Sequence, residues 1–293
     1  MSESPRVSQT APRVLVVIPT YRPGEQFLKL ITDVHAQGYP ILISDDASPV
    51  TADSLLRNAQ NTPDVHVIRH HRNEGIARGL NEGLLAAIDR GAEFLLTLDQ
   101  DSQIPENYID DLVSAFTALT SNRVGVIAPA VIADNSGDIT YPTTMINGIV
   151  TTEEVIQSGA LWKVMALEEI SGFDEKLGID AVDAAACLRL RESGHLVALT
   201  PAVTLRHNLG DSRQVRIFGR TVMVTSHSPV RRATMVRNRL ALAPAEFKQS
   251  PRHAFRTVRR VTVNSVLGAV LGKNRAANAK GSLSGLLPKK DRE

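Results

Sequence analysis

Two carboxylates one residue apart, Asp99 and Asp101, close the apolar run Phe94-Leu95-Leu96-Thr97-Leu98. Such a run reads as a buried strand, and the ligands of an open α/β sheet gather at the carboxyl ends of its strands. Neither carboxylate belongs unpartnered in a core, where an isolated charge is too costly. Projecting past a strand end, the pair can hold a hard divalent cation and, through it, a phosphate-rich ligand. An isolated Asp-x-Asp is more often a solvated turn, so other strand ends must decide. Three more polar clusters follow apolar runs: Pro19-Thr20-Tyr21, Asp45-Asp46-Ala47-Ser48 and Asn73-Glu74-Gly75. One such cluster is ordinary turn chemistry. Four at successive strand ends point to a single crevice.

The elements that must position these groups alternate. Val14–Ile18, Pro40–Ser44, Val65–Ile68 and Phe94–Leu98 read as strands, and Val124–Pro129 as a fifth. Between them, apolar residues at helical spacing predict helices over about 24–37, 55–59 and 73–88, with another at 108–119. Strand–helix alternation of this kind argues for βαβ units with right-handed crossovers and a parallel sheet. The stretch 132–156 reads as irregular loops and short strands. Order returns at Ala160–Val164 and in a helix from about Val182 to Arg191. Val197–Leu199 and Val203–Leu205 read as a last strand pair, and the tail from about Arg231 as basic, partly amphipathic helix. The first strand leads into Pro-Thr-Tyr-Arg-Pro-Gly, neither a glycine-rich dinucleotide fingerprint nor a P-loop. A nucleotide would therefore be gripped by side chains and a cation.

Composition narrows the classes. An apolar fraction of 43% across 293 residues is ample for a folded core. The net charge of +2 is small, yet the twelve Arg and Lys residues between Arg213 and Arg260 meet one acid, Glu246. That asymmetry suits an anionic partner or a solvated basic face. Cys187 is the only cysteine, which rules out an intrachain disulfide and a cysteine-rich metal site. Residues 1–12 are polar, with no signal-peptide core, and read as disordered. No apolar stretch is long enough to span a bilayer, so a cytoplasmic protein is expected, with peripheral attachment to the inner face of the plasma membrane compatible.

The motifs Val16-Val17-Ile18-Pro19-Thr20-Tyr21, Ile43-Ser44-Asp45-Asp46-Ala47-Ser48, Asn73-x-Gly75-x5-Asn81-x-Gly83 and Leu98-Asp99-Gln100-Asp101 together resemble the family 2 glycosyltransferases in order and spacing. The likeness covers about residues 14–210. Gly172-Phe173-Asp174-Glu175, Ile179-Asp180-x2-Asp183, Cys187-Leu188-Arg189, His207-x2-Gly210-Asp211 and His227-Ser228-Pro229 with Arg237-Asn238-Arg239 are similar to the rhamnosyltransferase branch. The resemblance implies a GT-A fold: an open, mostly parallel sheet flanked by helices, with a Rossmann-like nucleotide-binding half at 13–102, an acceptor half at 103–230, and a basic helical extension at 231–293. It implies an inverting transferase that moves L-rhamnose from dTDP-rhamnose, or another pyrimidine-linked sugar, to a lipid-linked polysaccharide acceptor. It leaves a homodimer open.

By position, the resemblance places Pro19, Thr20 and Tyr21 at the nucleoside, and Asp45 or Asp46 on the pyrimidine N–H. Asn73, Gly75, Arg78 and Gln100 fall in the same nucleotide-sugar site, Arg78 against the diphosphate. Asp99 meets the ribose and, with Asp101 and His207, a Mg2+ or Mn2+ ion. Asp183 is the implied base, although a carboxylate at a helix start is equally a plain N-cap. The second acid usual two positions later is absent, replaced by Ala185. A nucleotidyltransferase and a non-catalytic sugar-nucleotide or membrane scaffold are the competing classes. No nucleic-acid-binding motif is present, so nucleic acid is not an expected partner.

Overall fold

A computed structural model of the chain describes residues 13–119, 121, 123–133, 138–206, 212–217, 220–225, 228–271 and 275–286. The segment 1–12, read from sequence as disordered, lies outside them. The chain begins with β1 (Val14–Thr20), α1 (Gln26–Ala36), β2 (Ile41–Asp45), α2 (Asp53–Gln60), β3 (Val65–Arg69), α3 (Ile76–Asp89) and β4 (Phe94–Thr97). It continues through α4 (Tyr108–Thr117), β5 (Val124–Ala133), β6 (Ile139–Thr140), β7 (Thr144–Ile146), β8 (Ile149–Thr151), β9 (Ala160–Lys163), α5 (Val164–Glu169), α6 (Val182–Glu192) and β10 (Leu196–Arg206). A separate hairpin, β11 (Ser212–Ile217) and β12 (Arg220–Thr225), precedes α7 (Pro229–Gln249), α8 (Pro251–Leu271) and α9 (Arg275–Ser284).

The main sheet has the order β3-β2-β1-β4-β9-β5-β10-β8-β7, with β6 beside β5. Its first four strands are parallel; β9 is antiparallel to both β4 and β5. Strand alternation divides the core between the two faces. Val14, Val16 and Ile18 pack with Phe27, Leu30, Phe94 and Tyr108 on one side, and Leu15 and Val17 with Leu80, Leu84 and Trp162 on the other. That is why β1 is apolar along its length: both faces are covered. Trp162 is fully buried, its indole N–H donating to Thr97 Oγ1 at 2.9 Å and its ring edge-on to Phe173 at 5.3 Å. Cys187 is buried too, and burial pushes its thiol well above the ordinary value, away from nucleophile chemistry.

The structure departs from the sequence reading in the second half. The expected strand pair at 197–205 is one strand, β10, parallel to β5, with a register shift between Thr200 and Thr204. Pro201 lacks an N–H and looks like a break, yet the irregularity absorbs it without ending the strand. β5 likewise runs past Pro129, which is paired with Thr200. The hairpin β11–β12 was not legible. The helical tail begins at Pro229, where the Ser228 side chain caps α7 by accepting the Arg231 N–H at 3.2 Å. Asn238 then anchors α7, its side-chain amide within reach of the carbonyls of Leu177 (3.0 Å), Ile179 (2.9 Å) and Asp180 (2.9 Å).

Helix α3 lies close on the sheet because it presents glycines to it. A Cβ on Gly83 would stand 2.5 Å from Val17 Cβ, whereas one on Gly24 would meet nothing within 4 Å. Gly83→Ala should therefore lower the urea midpoint by the equivalent of about 1–3 kcal/mol. Gly24→Ala, the control, should change it by less than about 0.5 kcal/mol.

Candidate functional site

The parallel register brings the polar strand ends together. Thr20 is opposite Asp45, Asp45 is opposite Arg69, and Val17 is opposite Thr97, so Pro19-Thr20, Asp45-Asp46 and Leu98-Asp99 open on one edge. Gln100 clamps β1 to β4: it accepts the Tyr21 N–H at 2.8 Å and donates to the Tyr21 carbonyl at 3.1 Å. Thr20 is buried, but Tyr21 is 42% exposed, its ring free to offer a face and already carrying Arg22 at 5.0 Å.

The two neighbouring aspartates have different work. Asp46 receives the backbone N–H of Glu74 at 2.6 Å on one oxygen and that of Gly75 at 3.0 Å on the other, and it contacts His70 Nδ1 at 3.1 Å. It therefore fixes the Asn73–Gly75 turn, where Gly75 has φ of 94° and a Cβ would collide with Gly178 O at 2.5 Å. Asn73 adds a contact to the Asp46 carbonyl at 3.4 Å. Behind this turn, His70 Nε2 meets Glu82 at 3.0 Å, and Ser44 Oγ donates to Glu82 at 2.7 Å. Burial works to lower the His70 pKa, but the bonds to Asp46 and Glu82 prevail and hold it above the ordinary value. Asp45 is fully buried, and its Oδ2 takes the Arg69 Nε–H at 3.0 Å. Its Oδ1 has no partner, an unused acceptor. Arg78 stands 43% exposed among Glu82 (3.3 Å), Glu74 (3.8 Å) and Glu175 (3.9 Å).

At the end of β4, Ser158 Oγ accepts the Asp99 N–H at 3.1 Å, and the Gln157 side-chain amide donates to Asp99 Oδ1. Two residues past Asp101, Gln103 is bridged to Arg206, N–H to carbonyl at 2.9 and 3.2 Å in the two directions. The end of β10 thus arrives beside the Asp-x-Asp turn. His207, the residue after it, lies outside the described residues. Among the described residues no three His, Cys, Asp or Glu side chains are grouped to hold a metal. The described donors at this strand end are the Asp99 and Asp101 carboxylates, hard oxygens of the kind Mg2+ and Mn2+ prefer.

Asp183 lies elsewhere, in the wall of a cavity of about 510 Å³ that also includes Tyr141, Glu154, Ile156, Arg239 and Arg260. It is not the N-cap of α6. That position is Ala181, left-handed at φ 63° like Asp180 before it, so the chain reverses sharply and puts Asp183 in the first turn. Its Oδ1 accepts the Ala184 N–H at 2.8 Å. Burial raises the Asp183 carboxyl above its ordinary value, Arg239 opposing and Glu154 reinforcing the shift. Ala185 is buried, and Glu153 and Glu154 are the acids that line the cavity with Asp183. Glu154 pairs with Arg239 and with Arg260 (3.0 Å). Burial alone would raise its carboxyl; the two guanidiniums, with His253, bring it down to about 2. Sequence reasoning missed Glu154, Gln157, His70 and Glu82, since none sits in a patterned run. The surplus of arginine around Arg239 was the one available signal. One short segment joins the two places: Glu153–Ile156 line the cavity, and Gln157 and Ser158 hold Asp99.

The chain is similar to known proteins in sequence and in fold. The profile described as Glycosyl transferase family 2 matches residues 15–168. The dTDP-rhamnosyl transferase RfbF of Shigella flexneri is 33% identical over 244 residues, covering 78% of this chain and 79% of that protein. Among solved structures, Staphylococcus aureus TarS in complex with UDP-GlcNAc aligns over 92% of this chain and 79% of its own, with TM-score 0.61 and 14% identity. A mannosyltransferase from Pyrobaculum calidifontis in complex with GDP-Man and Mn2+ aligns over 96% and 89%, with TM-score 0.59 and 17% identity. Sheet order and neighbours agree on a GT-A fold, and the chain belongs to glycosyl transferase family 2.

Proposed function

We propose that this glycosyltransferase is a metal-dependent inverting rhamnosyltransferase, moving L-rhamnose from dTDP-rhamnose to a hydroxyl of a lipid-linked saccharide in cell-surface polysaccharide assembly. The carrying observation is the Asp183 carboxylate, held above its ordinary pKa in a cavity that residues 153–158 join to Asp99. The donor assignment draws on the likeness to RfbF.

In this reading the thymine N–H is taken by Asp45, whose Oδ1 is the unused acceptor, while Asp46 holds the turn at Gly75. Tyr21 offers its face to the nucleoside. A divalent ion held by Asp101 and Asp99, with His207, supplies charge neutralisation for the departing diphosphate. Asp183 takes the proton of the acceptor hydroxyl as its oxygen attacks the anomeric carbon and the bond to the diphosphate breaks. A raised pKa makes Asp183 a stronger base than an ordinary aspartate.

The acceptor's carrier would be met at α8. No helix among the described residues is long and apolar enough to cross a membrane. Helix α8 nonetheless exposes Phe255, Val263, Val266 and Val270 together with Arg252, Arg256 and Arg259. An apolar and basic helix face of this kind suits an anionic leaflet, each basic residue contributing about 1 kcal/mol at the surface.

Four outcomes test the reading. Asp101→Ala should abolish the Mn2+-dependent rise in melting temperature produced by dTDP. Asp183→Asn should keep that rise while lowering kcat by about 10²–10⁴-fold; a normal rate in that variant excludes Asp183 as base. Because Asp183 acts deprotonated and its pKa is raised, kcat/KM should climb with pH through a midpoint above the ordinary aspartate value of about 3.9. Finally, the protein should sediment with vesicles containing phosphatidylglycerol, and Phe255→Asp with Val266→Asp should release it. Unchanged sedimentation would exclude α8 as the contact.

A further inference from the structure

The cavity that holds Asp183 carries more positive charge than its own carboxylates use. Arg239 and Arg260 are committed to Glu154, and Arg191 to Glu153 at 3.0 Å and Glu246 at 2.9 Å. Arg256 and Arg259, both in the cavity wall, make no ion pair with any described residue. They lie three residues apart on α8, with Arg260 adjacent, so three guanidiniums crowd one helix face. Like charges at that spacing repel and cost helix stability unless an anion sits between them.

Three features separate this cluster from a merely solvated basic face. It borders a concave space of about 510 Å³, within the size range of small-ligand sites. The same cavity is lined by Tyr141, Val155 and Ile156, apolar groups suited to the C–H face of a sugar ring, and Tyr141 is fixed there by accepting the Ile156 N–H at 3.2 Å. The helix that supplies the arginines also exposes Phe255, Val266 and Val270.

We propose that Arg256 and Arg259 bind a phosphate of the acceptor, placing the sugar it carries against Tyr141 with a hydroxyl toward Asp183. This rests on the reading of Asp183 as the base of a glycosyl transfer. Two guanidiniums three residues apart offer several donors to a phosphate or diphosphate, the geometry arginine serves best. A lipid-borne phosphate and a soluble phosphorylated saccharide share this chemistry; the exposed apolar residues beside the arginines on α8 favour the lipid-borne one. Arg239 and Arg260 are excluded from the role by their bonds to Glu154, which set the electrostatics at Asp183 instead.

The test uses the full chain with its donor site first saturated by dTDP and Mg2+, then titrated calorimetrically with farnesyl diphosphate, inorganic pyrophosphate or glucuronate. Both diphosphates should bind. Arg256→Gln with Arg259→Gln should weaken them at least about tenfold, the equivalent of one charge-assisted hydrogen bond. Arg256→Lys with Arg259→Lys should retain most of the affinity, because a lysine still meets phosphate as a point charge. Both side chains are exposed, and an unchanged melting temperature confirms that the variants fold. Tighter binding of farnesyl diphosphate than of pyrophosphate identifies a lipid-borne phosphate; equal binding identifies the phosphate alone. Wild-type affinity in the glutamine variant, or binding of glucuronate only, overturns the proposal. Failure of dTDP to bind in the first step sinks the glycosyltransferase mechanism instead, while the arginine dependence of diphosphate binding is still scored.

Discussion

The largely buried pairing of Glu154 with Arg239 is the contact on which the architecture around Asp183 turns. Helices α7 and α8 add no strand to the main sheet, so side chains alone must dock them. Glu154 comes from the segment after β8, Arg239 from α7 and Arg260 from α8, and one carboxylate gathers all three. Arg191 of α6 does the same for Glu153 and Glu246. Taking such charges out of water is unfavourable, and an apolar contact of equal size would often serve stability as well or better. What ions add is a fixed register. Removing either partner leaves a buried charge uncompensated, so the helices have one seat on the sheet.

The same logic divides the labour of the acids at the other strand ends. A sequence with two adjacent aspartates after β2 cannot say which one faces a ligand. Geometry separates them because a carboxylate has limited acceptor capacity. Asp46 spends its oxygens on the N–H groups of Glu74 and Gly75, and His70 on its far side is bonded in turn to Glu82. That chain holds the backbone turn rigid. Asp45, with one oxygen on Arg69 and one buried and without a hydrogen-bond partner, is the less satisfied of the two. The turn holder and the proposed recognition group are thus neighbouring residues with opposite degrees of satisfaction.

How much of this could be read from the sequence follows from the range of the forces involved. The parallel strands were legible because both faces of β1 and β2 are buried, which forces continuous apolar runs. Asp99 and Asp101 were legible because they interrupt such a run. Gly83 was legible only as part of a motif, and its close packing against Val17 shows in the structure alone. By contrast, β10 looked like two strands because Pro201 imitates a terminator, and only its pairing with β5 shows otherwise. Glu154 and Gln157 were invisible since their partners lie 85 and 58 positions away, and no local periodicity encodes such a contact. The basic stretch was noticed as a whole, but its members differ: Arg239 and Arg260 are structural ions, whereas Arg256 and Arg259 have no described partner.

These strands of argument meet at Asp183. In its proposed role as base, Asp183 needs to be ionised at working pH yet keep its affinity for a proton. Next to an uncommitted guanidinium it would be held as a salt and lose basicity; with no cation nearby, burial would keep it protonated. Glu154 resolves this by binding Arg239 itself. It draws the guanidinium's charge into a pair, so Arg239 lowers the Asp183 pKa only partly and Glu154 pushes it back up. The acid missing at Ala185 is therefore balanced electrostatically by one contributed from another part of the chain. Because Glu154 is held near a pKa of about 2 by its two arginines, it stays ionised across the whole range in which Asp183 titrates.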